Sequence, residues 1–443
     1  MTVRFFMFVL LICTKTLSSH AQPVQHLTLA QSLQHAQQNN ETLLIAQQDL
    51  ETSNHQFRES LADGLPQLDA SLSYDRNWLL PNFVFGDQSV TIGAHNSLTG
   101  SIGIRQSLYS GGKLFASLKV ARLFRQYSQE NIRLVQQRVR RDVETAFYDL
   151  LLAYDLLRVN ELSLARAQAN YALAQKLFEA GRVSEYDLLR AQTQVAEIRP
   201  DSIQATNLIK LTTLSFKSLI GFPPETKINI TGAFRQDTAL LSKSESKNIA
   251  LGLMSRPEIR QQDKLISMRK HGETVTQSSS RPTLDLIING QWQAQKDNFK
   301  FSSNDFRQSW FSGLTLKVPL FDGFRTTAQV LQARADTRRA QLAFQQLERT
   351  LELEISQAQQ HLSESIARKL AQEQTISLSK KGLRIAETRY SNGIGTQLEI
   401  IDAQLSVQRA EAALAQAKHD VAVALVSLEY SMGILGNQTA TRP

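Results

Sequence analysis

Cysteine is nearly missing: Cys13 is the only one in 443 residues, so the chain has no disulfide framework and no cysteine metal site. Long apolar runs are missing too. Beyond Ala21 nothing approaches the roughly 20 apolar residues of a membrane-spanning helix, which excludes helical membrane proteins. Glycine and proline are both absent from Lys113 to Ala180 and from Phe324 to Lys381. The eight histidines are scattered, and none falls in an HExxH or paired Cys/His spacing that would bind metal. Ser110-Gly111-Gly112-Lys113 ends like a phosphate loop, but Ser107 stands where the motif needs its first glycine, so a turn is the better reading. No Ser, His and Asp grouping stands out. The chain is read as no enzyme, with no metal and no cofactor.

What is present begins with Arg4, the apolar run Phe5 to Cys13, then Ser19, His20 and Ala21, the charged, apolar, small-residue order of a secretory signal. Residues 1–21 are therefore set aside as a signal peptide. Ile12 precedes Cys13 where lipid attachment needs a small residue, which argues against a lipoprotein. Without Arg4 and Lys15 the formal charge of +8 falls to +6. The excess lies along helical stretches such as Arg138, Arg140 and Arg141, without interleaved aromatics, so solvated helix faces are expected and nucleic acid is not. A secreted chain with no spanning helix enters a bilayer only as a β-barrel.

The sequence repeats itself. Leu108, Tyr109, Ser110 and Gly111 recur as Leu320, Phe321, Asp322 and Gly323, while Gly181, Ala191 and Gly221 recur as Gly393, Ala403 and Gly433, all 212 residues later. Pro66, Leu68 and Asp69 recur 216 residues later as Pro282, Leu284 and Asp285. Residues 22–221 form a first repeat, 222–246 a connector, 247–433 a second repeat, and 434–443 a tail.

Each half reads helix, strand, strand, long helix, helix. Thr28 to Leu61, without Gly or Pro, reads as one helix. Leu68, Ala70, Leu72 and Tyr74 alternate with polar residues, as do Leu98, Ile102, Ile104 and Leu108. Leu284, Leu286, Ile288 and Trp292 follow in the second half, then Trp310, Leu314, Leu316, Val318 and Leu320. These are four strands of about 9 to 12 residues, the length of tilted outer-membrane strands. Four strands cannot close a barrel. Open edges are not tolerated in lipid, so copies must pool strands, and three copies give an even twelve. The two long helices would each reach roughly 100 Å. Val139, Val143, Phe147 and Leu150, like Leu347, Leu351, Ile355 and Leu362, form stripes for helix-on-helix packing. Pro200 is expected to kink or break the return helix of the first half.

The two helix reversals carry the most specific pattern: Phe178-Glu-Ala-Gly181-Arg182-Val183-Ser184-Glu-Tyr-Asp187 with Ala191, and Tyr390-Ser-Asn-Gly393-Ile394-Gly395-Thr396-Gln-Leu-Glu399-Ile-Ile-Asp402-Ala403. Gly181 and Gly393 end helices in the left-handed conformation, and Ser184 and Thr396 cap the next ones. With the strand pairs, the long helices and the signal, the whole mature chain resembles the TolC-like outer-membrane efflux protein family. The resemblance implies an α+β membrane protein, a homotrimer whose long helical hairpins form a periplasmic tunnel and whose strands build a 12-stranded outer-membrane barrel. It implies a passive conduit for small-molecule efflux, with the outer-membrane component of type I protein secretion as the alternative. Its partners would be a periplasmic adaptor and an inner-membrane pump, docked at the tips Gly181, Arg182, Val183, Ser184, Gly393, Ile394, Gly395 and Thr396.

By the same resemblance Asp187 and Tyr390 would bond across neighbouring hairpins to hold the tip shut, while Glu399 and Asp402 would face the lumen. Six carboxylates from three copies would then gather in one ring and attract cations. Thr396-x-x-Glu399 is also a capping box and Ser184-x-x-Asp187 nearly one, so both acids are open to a helix-capping role. Gly395 departs from the family pattern, which carries a basic residue there in many members, and one gate tether is expected to be absent.

Overall fold

A computed structural model describes residues 25–236 and 244–436. The expected signal peptide with Cys13 lies outside the described residues, as do parts of the connector and the tail. In chain order the elements are β1 (Gln25–Leu27), α1 (Leu29–Asn39), α2 (Glu41–Ala62), β2 (Gln67–Arg76), β3 (Asn82–Phe85), β4 (Gln88–Thr91), β5 (Asn96–Ser110), α3 (Lys113–Glu179) and α4 (Glu185–Ile220). They continue with β6 (Ile228–Ile230), α5 (Glu245–Ser255), α6 (Pro257–Gln277), β7 (Thr283–Lys296), β8 (Arg307–Lys317), α7 (Arg325–Ser391) and α8 (Gln397–Ser431). The stretches without glycine fold as expected: α3 and α7 each run 67 residues, about 100 Å at 1.5 Å per residue. Among the described residues no helix is long and apolar enough to cross a membrane.

The single helix expected over Thr28 to Leu61 is two. Asn40 leaves the helix to cap α2, its side chain accepting from the Leu43 amide at 3.2 Å and donating to the Leu219 carbonyl at 2.8 Å. An asparagine offered partners outside the helix prefers a cap to a helix interior. The second half breaks at the same place in its pattern, where Arg256 precedes Pro257 and proline opens α6. Pro200 does not break α4, which runs through it with Ile198 and Ala205 buried on either side. The lost backbone bond is offset by packing along α3.

Strands β2, β5, β7 and β8 form one antiparallel sheet in that order. Its register lines up Leu68, Ile104 and Ile288, and likewise Tyr74, Leu98 and Ala294, on one face. This apolar face is open: Leu72 is 75% exposed and Leu314 65%. Gly290 lies beneath the Trp310 ring, where a β-carbon would sit 2.7 Å from it, and Trp292 meets the same ring edge-on. Asp69, Ser71, Ser101, Asn289 and Gln291 take the opposite face. A bulge at Ser107–Tyr109 changes the parity of β5, so Tyr109 and not Leu108 pairs with Leu284. β8 stops at Lys317, short of Val318 and Leu320, because Pro319 has no amide to donate. Two further pairings were not foreseen: β1 lies parallel to β6, and β3 and β4 make a hairpin between β2 and β5.

The helices bury the stripes read from the sequence. Val139, Val143, Phe147 and Leu150 of α3 join Leu43, Phe216, Ile220 and Val426 in the main core. Ile355 and Leu362 of α7 pack with Leu425, Leu428 and Met432 in a second core.

Candidate functional site

The two hairpin tips lie side by side at the far ends of α3–α4 and α7–α8. Gly181 (φ 67°) and Gly393 (φ 77°) both take the left-handed turn. At the first tip the Gly181 amide donates to the Phe178 carbonyl and the Arg182 amide to Leu177, each at 2.8 Å. At the second, Gly393 donates to Tyr390 (2.9 Å) and Ile394 to Arg389 (3.0 Å). These paired bonds satisfy carbonyls that a helix end leaves open.

The two candidate caps differ. Ser184 and Asp187 form a complete box: the Asp187 amide donates to Ser184 Oγ at 3.2 Å, and the Ser184 amide returns the bond to Asp187 Oδ2 at 3.2 Å. The box read at Thr396 and Glu399 is only half made. Thr396 Oγ1 accepts from the Glu399 amide at 3.3 Å, but the Glu399 carboxylate turns to Arg389, whose Nε donates to it at 3.2 Å. An arginine outbids a single backbone amide for a carboxylate because both partners are charged.

Tyr390 is the hub between the tips. It is 3% exposed and clusters with Ala386 and Ile400, with Leu173, Leu177, Val183 and Ala403 packed around them. Val183, expected as part of a docking surface, is thus half-buried on the neighbouring hairpin. The Tyr390 hydroxyl is buried and has no hydrogen-bond partner among the described residues. Burial first, and the nearby Asp187 charge second, push its pKa above the usual tyrosine value. Asp187 lies near enough for its charge to act on Tyr390 but makes no hydrogen bond to it, and its Oδ2 is held in the cap. Asp402 is exposed.

Gly395 has a steric reason. A β-carbon there would stand 2.8 Å from the Tyr390 amide nitrogen and 3.0 Å from the Arg389 carbonyl carbon, so this tight turn admits no side chain without shifting. Two arginines stand near this turn. Arg389 donates to Glu399 and also to the Ile394 carbonyl at 3.3 Å, and Nη2 of Arg182 from the first tip lies 3.2 Å from where a β-carbon on Gly393 would stand. Sequence reasoning missed Arg389; its place one residue before the aromatic, on the helix facing Glu399, was the available signal.

A family model described as outer membrane efflux protein matches residues 32–221 and 249–434. The chain belongs to that family. Its place is the outer membrane. It is similar to the outer membrane protein TolC of Vibrio cholerae, 22% identical over 93% of this chain and 91% of that protein. It is 24% identical to the alkaline protease secretion protein AprF of Pseudomonas aeruginosa, over 70% of this chain and 64% of that one. The crystal structure of the outer membrane protein VceC from Vibrio cholerae superposes with a TM-score of 0.78 at 17% identity, covering 91% of this chain and 96% of VceC. The likeness to VceC fixes the fold of this efflux-family member: long α-helical hairpins joined to a short antiparallel sheet.

Proposed function

We propose that three copies of the chain assemble into an outer-membrane efflux duct that passes small molecules and docks, through its hairpin tips, a periplasmic adaptor of an inner-membrane pump. The observation that carries this reading is the four-stranded sheet itself. It has an exposed apolar face, a polar opposite face and two unpaired edges, β2 and β8. Strand direction alternates across the sheet, so β8 of one copy meets β2 of the next antiparallel, and three copies close twelve strands with no edge left in lipid. The helices then hang below as a wall whose packing each copy has already begun.

Asp187, Tyr390, Glu399 and Asp402 are the closing elements of the tip in this reading. Tyr390 packs one hairpin on the other, and Asp402 presents a carboxylate that no cation neutralises among the described residues. Arg182 and Ile394, the latter 67% exposed, offer themselves to the adaptor. Protein secretion is the second reading, supported by the similarity to AprF.

A photo-crosslinker at Ile394 in the native host tests the proposal. Capture of a periplasmic adaptor with a proton-driven pump is expected. Capture beside an ATP-driven exporter of polypeptides favours secretion, and no periplasmic capture from a membrane-embedded oligomer removes the tips from docking.

A further inference from the structure

Above the tips, charged rungs tie the α7–α8 hairpin to α3. Arg166 of α3 makes two bonds to Glu411 of α8, at 3.0 and 3.1 Å, and Lys380 of α7 reaches the same carboxylate at 3.2 Å. Further along α8, His419 sits between two carboxylates. Its Nε2 is 2.7 Å from Asp149 Oδ1 of α3, and its Nδ1 is 3.2 Å from Asp420 Oδ1. Asp420 also receives Arg368 of α7 at 3.4 Å. The imidazole is 12% exposed and is covered edge-on by Phe234. Phe234 belongs to the extended segment 231–236, which straps the same helices: Arg235 binds Glu429 of α8, and Gln236 accepts from Lys369 of α7 at 2.7 Å.

A neutral imidazole donates from one nitrogen only, so with Nε2 donating to Asp149 its Nδ1 would turn a lone pair toward Asp420 and have only the Gln416 amide as donor, 3.3 Å away and already donating to Asp420 at 2.7 Å. The imidazolium donates to both. Burial opposes the charge, but the bonds to Asp149 and Asp420 outweigh it and hold the pKa above the ordinary histidine value. Among the described residues the charged groups facing this ring are Asp149 from α3, Asp420 from α8 and, through Asp420, Arg368 from α7. Arg235 on the strap side is taken up by Glu429.

We propose that His419 is a proton-operated bolt that joins α8 to α3 through a charge-assisted bond when protonated and through a weaker neutral bond when deprotonated. The direction follows from the raised pKa: the charged bond's stabilisation is fully present below the ordinary histidine pKa and is lost as pH rises through the higher folded value. The neighbouring rung of Arg166, Glu411 and Lys380 contains no histidine. Closer to the tips, buried amide atoms of Asn170, Gln194, Gln397 and Gln404 lack partners among the described residues, so the hairpins are bolted at mid-height and held loosely below it. Acid therefore stiffens the root of the α7–α8 hairpin and alkali loosens it.

Hydrogen exchange of the assembled full-length protein, corrected for the intrinsic pH dependence of exchange, tests the bolt. Amides of α8 around His419 are expected to be several-fold better protected at about pH 5.5 than at about pH 8.5, because a charge-assisted hydrogen bond is roughly twice as strong as a neutral one. H419Q removes that difference. D149N, on the more exposed partner, shrinks it without touching the core. Native protein with no pH dependence in these peptides, or H419Q that keeps it, overturns the proposal. The readout is helix attachment, so it stands or falls independently of whether the tips form a gate.

Discussion

Replacing Arg235 with alanine should be among the most damaging single changes outside the cores. Arg235 makes two bonds to Glu429, with Nη1 at 2.9 Å and Nη2 at 2.5 Å, and the Glu429 side chain is only 7% exposed. A second carboxylate, Glu144, lies close by at 3% exposure, paired with Arg140 at 2.8 Å. The four charges balance, but the balance is tight. Burial already lifts the Glu144 pKa above the usual carboxylate range, with Arg140 pulling it down and Glu429 adding to the rise. The Tyr148 hydroxyl is pushed up to about 12 by burial and by Glu144. Without Arg235, Glu429 becomes a buried charge facing another carboxylate, and breaking such a pair costs about 3–5 kcal/mol. The carboxylate escapes part of this by taking a proton, so its pKa rises. A raised carboxylate pKa leaves the penalty whole above that pKa and relieves it as pH falls through it. Unfolding midpoints in denaturant, measured at neutral and acid pH, should show a large loss for R235A that narrows in acid. The double variant R235M/E429M, which removes both charges, should recover most of the loss. R235A within about 1 kcal/mol of the native protein at neutral pH would refute the reasoning, since that is the worth of an exposed pair.

Other outcomes follow from the tips and the sheet. Y390F should be close to neutral, because it deletes a buried hydroxyl that has no partner, while Y390A should cost about 3–5 kcal/mol through lost packing; limited proteolysis at the tips separates the two. G395A should loosen the second turn by about 1–3 kcal/mol, as overpacking does, and faster exchange of the Ile394 and Thr396 amides would report it. On the sheet, L314R places a charge on the lipid face at about 2–4 kcal/mol, whereas T315R, one residue on and on the opposite face, should leave the yield of folded protein nearly unchanged.

Much of this fold can be read from what the chain leaves out. Two stretches free of glycine and proline become α3 and α7, because nothing interrupts their backbone bonding and their apolar stripes find each other. Alternation gives the strands directly, since each half-apolar strand has one face to hide. The places where the reading slips are those where a distant partner decides. Asn40 breaks its helix because the Leu219 carbonyl, far along the chain, receives its side chain. The β5 bulge moves Tyr109 into the place given to Leu108, which no local pattern marks. At the tips, the glycines and Ser184 were legible as turn chemistry, which is local. The partner of Glu399 was not, because Arg389 competes with the cap across the turn. The His419 bridge was invisible for the same reason, Asp149 lying on another helix.

The central claim of the proposed function is that the open sheet closes by joining β2 of one copy to β8 of the next. Cysteine pairs scanned across those edges test it most directly, for example at Ser71 or Ser73 on β2 with Ser309 or Thr315 on β8, oxidised in native membranes. A covalent ladder of one, two and three chains that stops at three is expected. Chains that remain single under oxidation across the whole scan, or a ladder that runs past three, would contradict it.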